Sequence, residues 1–436
     1  MRAVNVGMVG MGTVGGATLR ILDENAAEIE RRCGFPIWVR AAASLEVEKR
    51  SESDTPVGRR LLSRDWREVV EHPEVEIIVE VVGGTTIAYE VHKAAMERGK
   101  PVITANKELL GLRGAELAQL AVQHKAALHM EASCGGGIPI LNVLREGIAA
   151  DRIEAVYGIL NGTCNFILTE IEKTGAPFAA ILAEAQARGY AEANPTADIE
   201  GYDARSKLAI LAAFCFGVRV PTDSIFTEGI ARIAPTDFAY AHRLGYTIRL
   251  IAAATRGPAG LGLFVRPVLV PQTAMLSNVQ GSYNAVWVKG SYGEDTFYDG
   301  RGAGKPTGVA VVSDIMRAAR DLRYGANLRA PAFGFWKLEE VTRAGMEAQI
   351  RPYYLRFLVN DRVGIIAQLA SALAQQGINI DAVLEDPFPG AHNLPFMISI
   401  KPTSEAAVSA ALDKIKGFDF LCDPPLALPM EVSLAG

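Results

Sequence analysis

The sequence predicts an α/β protein of several domains, and three observations carry that prediction. The first third alternates short β-rich runs with longer helical ones, the spacing of βαβ units around a parallel sheet. The run Gly135-Gly136-Gly137-Ile138-Pro139 breaks that rhythm and opens a region of mixed strands and helices. The last part, residues 351–436, reads as strand, helix, two strands, helix and strand, the order of a ferredoxin-like module. With 436 residues, 49% of them hydrophobic, the chain has material for two or three globular cores.

In the first part the strands are expected at Val4–Val9, 37–41, 76–82 and 101–104, with helices over 86–98 and 108–124. Gly99 stands where a helix C-terminus favours a residue without Cβ. Between the first strand and a helix expected over 17–25 lies Gly10-Met11-Gly12-Thr13-Val14-Gly15, a GxGxxG turn. In that setting the first glycine permits the tight turn, the second admits a pyrophosphate and the third lets helix approach strand. The domain is therefore expected to be Rossmann-like and to bind NAD or NADP through Gly10, Gly12, Thr13, Val14 and Gly15. The second strand ends in Ala41-Ala42-Ala43-Ser44, with no acid to read a ribose, while Lys49 and Arg50 suit either a 2′-phosphate or a solvated face. NAD and NADP both remain open.

Further on, residues 300–307 turn sharply into a helix with Pro306 in its first turn, expected to return to the first domain. The expected boundaries are 1–130 for the dinucleotide-binding domain, completed by about 303–325, 131–302 for an α+β catalytic and dimerisation domain, 326–350 for a linker and 351–436 for the C-terminal module.

Composition narrows the function. Forty-four basic and 49 acidic side chains give a net charge of −5, and no Lys/Arg-rich run offers a grip on nucleic acid. The longest mostly apolar stretch, 208–218, is too short to span a bilayer. Five scattered cysteines without CxxC spacing speak against a disulfide framework or zinc site, so a reducing cytoplasm is expected.

The candidate chemistry lies in the acidic segment before Lys207, which holds Glu192, Asp198, Glu200 and Asp203. Asp203 and Lys207 are spaced i,i+4, ordinarily a weak surface pair. Here Lys207, Leu211, Phe214 and Val218 share one helical stripe, so the lysine is expected to point inward, where a carboxylate partner makes it a candidate acid/base. Lys107 follows the strand at 101–104, at the carboxyl end where open parallel sheets bind ligands.

These residues fall into a pattern. Ala185-x-x-x-Gly189-Tyr190-Ala191-x-x-Asn194-Pro195-x-x-Asp198-Ile199-x-Gly201-x-Asp203-x-x-x-Lys207 resembles the signature of homoserine dehydrogenases. The GxGxxG turn, Thr104-Ala105-Asn106-Lys107, the segment from Glu131 to Pro139, Asn161-Gly162-Thr163-Cys164-Asn165 and Gly302-Ala303-Gly304 occur in that family's order, and the C-terminal module resembles an ACT domain.

The resemblance implies interconversion of L-homoserine and L-aspartate 4-semialdehyde with NAD(P), in threonine and methionine biosynthesis. It assigns Lys207 as proton donor to the carbonyl oxygen with Asp203 beside it, and Glu192, Asp198 and Asp203 to the substrate. Lys107, Gly189 and Gly304 come to lie by the cofactor. It also implies a sodium ion held by Glu131 and by Cys134, Gly136 and Ile138 through main-chain carbonyls, a homodimer or homotetramer, and inhibition by threonine at the C-terminal module. Deleting 351–436 is expected to remove that inhibition and leave catalysis largely intact. Cys164 and Cys134 stand where the family usually has threonine and valine.

Two other readings are weighed. A thiolate at Cys164 would suit a cysteine-dependent semialdehyde dehydrogenase, but none of the six histidines sits in a suggestive motif. An inactive amino-acid sensor built on the C-terminal module is opposed by the intact fingerprint and by Asp203 with Lys207.

Overall fold

The structure is a computed structural model that describes residues 2–45, 62–302, 304–325, 331–385 and 393–434. The chain forms two compact units, one of Met1–Val156, Arg205–Ile225 and Asn284–Val341, the other of Tyr157–Ala204, Phe226–Tyr283 and Thr342–Gly436.

The first unit is built on a six-stranded parallel sheet. Its strands are β1 (Val4–Val9), β2 (Ile37–Ala43), β3 (Leu62–Ser63), β4 (Ile77–Glu80), β5 (Val102–Thr104) and β6 (Leu128–His129). They lie in the order β3-β2-β1-β4-β5-β6, all pairs parallel. Every residue of β1 is buried, as a central parallel strand covered on both faces requires. The expected strand Val4–Val9 is present with the predicted ends and the other three with shifted ends, and the helices at Thr86–Glu97 and Lys107–Gln123 follow β4 and β5 as predicted.

The first helix departs from expectation, because Thr13–Glu24 begins directly after Gly12 and not at Ala17. Gly15 and Gly16 weaken the helical signal there. A second helix, Ala26–Cys33, closes on Gly34 at φ +81° and was not predicted. The Lys305–Tyr324 helix, with proline in its first turn, joins this unit. Its Val311, Val312, Ile315, Ala318 and Ala319 share a core with Val4, Val6, Met8 and Leu19. Gly308 makes the approach possible, since a Cβ there would lie 3.0 Å from the Ala17 methyl. Arg323 fastens the helix end to Glu76 at 2.8 Å and to the Ala3 carbonyl at 2.6 Å.

The Tyr202–Phe216 helix stops at Gly217, φ +68°. Leu211 and Phe214 are buried as the stripe predicted, and Lys207 is half-buried. Val218 is off the helix, in a short strand paired with Glu339–Glu340, so the stripe is one member shorter than predicted.

In the second unit, Tyr246–Gly257 and Gly260–Pro271 form an antiparallel pair, and Phe226–Thr227 adds in parallel, which makes a mixed sheet. The C-terminal module has strands Ile350–Asn360, Ile380–Glu385, Asn393–Ser404 and Leu421–Pro429 in the spatial order second, third, first, fourth, all antiparallel. Helices Ile365–Ala374 and Glu405–Ile415 cover one core with Leu355, Phe357, Leu369 and Ile398.

Buried charges fasten this module to the rest of its unit. Asp237 is fully buried and takes a hydrogen bond from the Tyr354 hydroxyl at 2.7 Å and an ion pair from Arg356. Arg266 lies between Glu228 at 3.0 Å and Glu405 at 2.9 Å. Deleting 351–436 would take Tyr354 and Arg356 from Asp237 and Glu405 from Arg266, so point variants test the module's role more cleanly than truncation. Among the described residues no helix is long and apolar enough to cross a membrane.

Candidate active site

The glycine turn of the first unit is made of backbone. Gly10 sits at φ +103°, and a Cβ there would lie 2.5 Å from the Val81 carbonyl oxygen. At Gly15 a Cβ would collide with the Gly10 carbonyl. Gly12 is exposed, and a Cβ there would meet nothing within 4 Å. Two glycines thus shape the turn and the middle one leaves room above it. Thr13 and Val14 open a twelve-residue helix whose N-cap is Gly12, so no cap side chain competes for its first N–H groups. This geometry fits a pyrophosphate. Gly304, φ +75°, caps the Lys305–Tyr324 helix and likewise faces open space. Ser44, past the end of β2, donates its N–H to the Ser63 carbonyl at 3.0 Å. Lys49 and Arg50 lie outside the described residues.

At the carboxyl ends of β4 and β5 a buried network replaces glycine. The Thr104 hydroxyl donates to Glu80 at 2.8 Å, and Asn106 donates to the Gly84 carbonyl at 2.7 Å while accepting the Leu109 N–H at 3.0 Å. Asn106 thereby caps the helix that Lys107 begins, with Lys107 half-buried.

The glycine run at 135–137 meets the one at 302. A Cβ on Gly136 would strike the Gly302 carbonyl, and the Gly137 N–H donates to the Arg301 carbonyl at 3.0 Å. Glu131 sits beside this loop with both carboxyl oxygens in use, accepting the N–H groups of Leu141 at 2.9 Å and Asn142 at 2.7 Å. Burial, with Asp314 close by, pushes its pKa up to about 7. Burial likewise lifts Asp314 to about 6. These two bonds tie the Glu131 carboxylate to the start of the segment after Pro139.

In the second unit the start of one helix gathers the acidic segment. Asn161, 5% exposed, caps Gly162–Thr174 by accepting the Cys164 N–H at 2.8 Å. Its amide donates to Asp198 at 2.7 Å and to Asp203 at 2.9 Å. The Cys164 thiol donates to the Asp198 carbonyl at 3.1 Å, and the Thr163 hydroxyl to the Tyr190 carbonyl at 2.7 Å. Tyr190 follows Gly189, φ +74°, and its ring lies 4.7 Å from that of Phe166. Asp203 is buried in the first turn of the Tyr202–Phe216 helix, one turn before Lys207. Glu192 is exposed on the loop after Tyr190, where Gln186 donates to its carbonyl at 3.1 Å.

A dinucleotide turn in the same chain as a lysine one turn from a carboxylate cluster suits carbonyl reduction, and comparison with known proteins decides among the enzymes that do it. The family model for homoserine dehydrogenase matches residues 139–316, that for its NAD binding domain 10–131, and the ACT domain 353–419. The Pseudomonas aeruginosa homoserine dehydrogenase is 38% identical over 435 residues, 99% of each chain. The chain belongs to the homoserine dehydrogenase family. A homoserine dehydrogenase from Thiobacillus denitrificans superposes with a TM-score of 0.91 at 39% identity over 98% of both chains. A hyperthermophilic archaeal homoserine dehydrogenase mutant, solved in complex with NADPH, gives 0.62 at 25% identity over 72% of this chain and 97% of its own.

As a homoserine dehydrogenase the protein is an NAD(P)-dependent oxidoreductase of amino-acid biosynthesis that interconverts homoserine and aspartate 4-semialdehyde, and it carries an ACT domain. The cysteine-dependent alternative loses its nucleophile, because Cys164 is fully buried and its thiol points at a main-chain carbonyl. The residue given no role by the sequence is Asn161. Its signal, an asparagine opening Asn-Gly-Thr before a helix, reads only as a cap, because its carboxylate partners lie 37 and 42 residues away.

Proposed function

We propose that Lys207 donates the proton and that the carboxylates before it hold the amino-acid substrate. When bound, the reduced nicotinamide supplies a hydride to the aldehyde carbon. The Lys207 ammonium gives its proton to the aldehyde oxygen as charge develops there, and takes it back in the direction of homoserine oxidation. Asp203 lies one turn earlier on the same helix. Glu192 and Asp198, with Asp203, attract the substrate ammonium, and Lys107 with Gly189 and Gly304 borders the cofactor. The observation that carries this reading is the convergence of Asp198 and Asp203 on one amide, with Asp203 on the helix that bears Lys207.

The turn at Gly10, Gly12, Thr13, Val14 and Gly15 binds the pyrophosphate of NADP or NAD. NADPH is the form bound by the archaeal relative. A sodium ion suits Glu131 with the main-chain carbonyls of Cys134, Gly136 and Ile138, since it prefers oxygen and the Cys134 sulfur is no ligand for it. Threonine, the pathway's end product, is the effector read by the ACT module, and the working form is a homodimer or homotetramer. The five free thiols, four of them buried, suit a reducing cytoplasm. Calorimetry with L-homoserine on wild type, Glu192→Gln and Asp203→Asn tests the substrate assignment. Both variants are expected to bind about tenfold or more weakly, and wild-type affinity in both would remove it.

A further inference from the structure

Asn161 uses its whole side-chain amide. The oxygen accepts the Cys164 N–H at 2.8 Å, and the nitrogen donates to Asp198 Oδ1 at 2.7 Å and Asp203 Oδ2 at 2.9 Å. A primary amide has two donor hydrogens, and both are assigned here. The orientation is also fixed, because turning the group over would set its oxygen against two carboxylates and its NH2 against a helix N–H. At 5% exposure, bulk water does not stand in for the amide. Two carboxylates held by one nitrogen repel, and each raises the other's hold on a proton. The amide hydrogens and the positive end of the Gly162–Thr174 helix oppose that effect. The same helix start pins the Asp198 backbone through Cys164.

We propose that Asn161 is a positioning residue for the reaction: its amide fixes Asp198 and Asp203 relative to one another and keeps both as carboxylates, so that the substrate ammonium is met in one geometry. The proposal rests on the assignment of those two acids to the substrate. A capping role alone predicts something different, because serine and aspartate are also good N-caps. Asn161→Ser keeps a cap oxygen and loses the bridge. Asn161→Asp keeps the cap and nearly the shape, but sets a third carboxylate against the other two.

The test is kcat/KM for L-aspartate 4-semialdehyde against pH, the direction in which Lys207 works protonated and the acid limb reports the carboxylates, for wild type, Asn161→Ser, Asn161→Asp and Asp203→Asn, with thermal unfolding and NADPH affinity as controls. Expected are near wild-type melting and NADPH binding, a loss of about tenfold for Asn161→Ser and about a hundredfold for Asn161→Asp. The acid limb should move up by about one pH unit in both, since the pair then holds protons more tightly. Should Asn161→Asp fail to fold, Asn161→Ser carries the measurement. Wild-type kcat/KM and acid limb in the Asn161 variants, beside an impaired Asp203→Asn, would overturn the positioning role and leave the substrate site standing. A fully active Asp203→Asn would overturn the site assignment and this proposal with it.

Discussion

The cofactor turn and the carboxylate cluster are built from opposite materials. From Gly10 to Gly15 the first unit works with backbone, and two of its three fingerprint glycines are explained by carbonyls that a Cβ would strike. Around Asn161 the second unit works with side chains, brought together from a helix cap, a short helix and the start of a third helix. The contrast extends to how each unit takes in a distant segment. The first receives the Lys305–Tyr324 helix through apolar packing, the buried Asp314 on the Glu131 N–H, and two partly exposed ion pairs, Arg323 with Glu76 and Arg317 with Glu146. The second receives its C-terminal module through the buried Asp237 and Arg266. A site of backbone tolerates few substitutions for steric reasons, whereas a site of side chains fails by loss of charge and partners.

Removing the chemistry from the side-chain site should have the largest effect. Lys207→Ala is expected to lower kcat by about 10²–10⁴-fold while NADPH affinity holds, since a proton donor acts in the transition state. Steady-state rates beside a fluorescence titration read both, and a near wild-type kcat across pH would sink the assignment.

The backbone site breaks in two distinguishable ways. Gly12→Val has open space for its side chain, so it should fold and lose about a hundredfold or more in NADPH affinity. Gly15→Ala should instead cost about 1–3 kcal/mol of stability through the clash with Gly10. Equal behaviour of the two variants in melting and titration would erase the distinction between the room-giving and the shaping glycine.

Among the attachments the buried pair should outweigh the exposed one. Arg356→Ala leaves the Asp237 carboxylate buried with the Tyr354 hydroxyl and the Ala234 N–H but without its ion-pair partner, and is expected to cost about 3–5 kcal/mol in denaturant unfolding. Arg323→Ala, at a partly exposed pair with Glu76, should cost about 1 kcal/mol. That smaller loss has a pH signature. Burial alone would raise the Glu76 pKa, but Arg323 and the Asn5 N–H outweigh it and hold it below the usual carboxylate range. A depressed carboxylate contributes stability above its unfolded pKa and loses it as pH falls through the folded one. The gap between wild type and Arg323→Ala should therefore be widest near neutrality and close below about pH 4. A gap that stayed constant down to acid pH would show the arginine acting by packing alone.

What the sequence by itself determined follows from the range of the interactions. Strand and helix alternation, the GxGxxG turn and the βαββαβ order of the last module are set by neighbours a few residues apart, and so they are legible in the chain. The early start of the first helix escaped because Gly15 and Gly16 have low helical propensity, and a collision with Gly10 is what demands Gly15. Val218 was placed one turn too far along its stripe because Gly217 ends the helix in a left-handed turn. Only the tertiary structure decided that Asn161 would serve Asp198 and Asp203, that Glu131 would spend its carboxylate on Leu141 and Asn142, and that Asp237 would hold the C-terminal module. Each joins residues that are separated in sequence and leave no periodic trace in it. A hydrogen bond needs its partners at about 3 Å, and which distant groups reach that distance is settled when the elements pack.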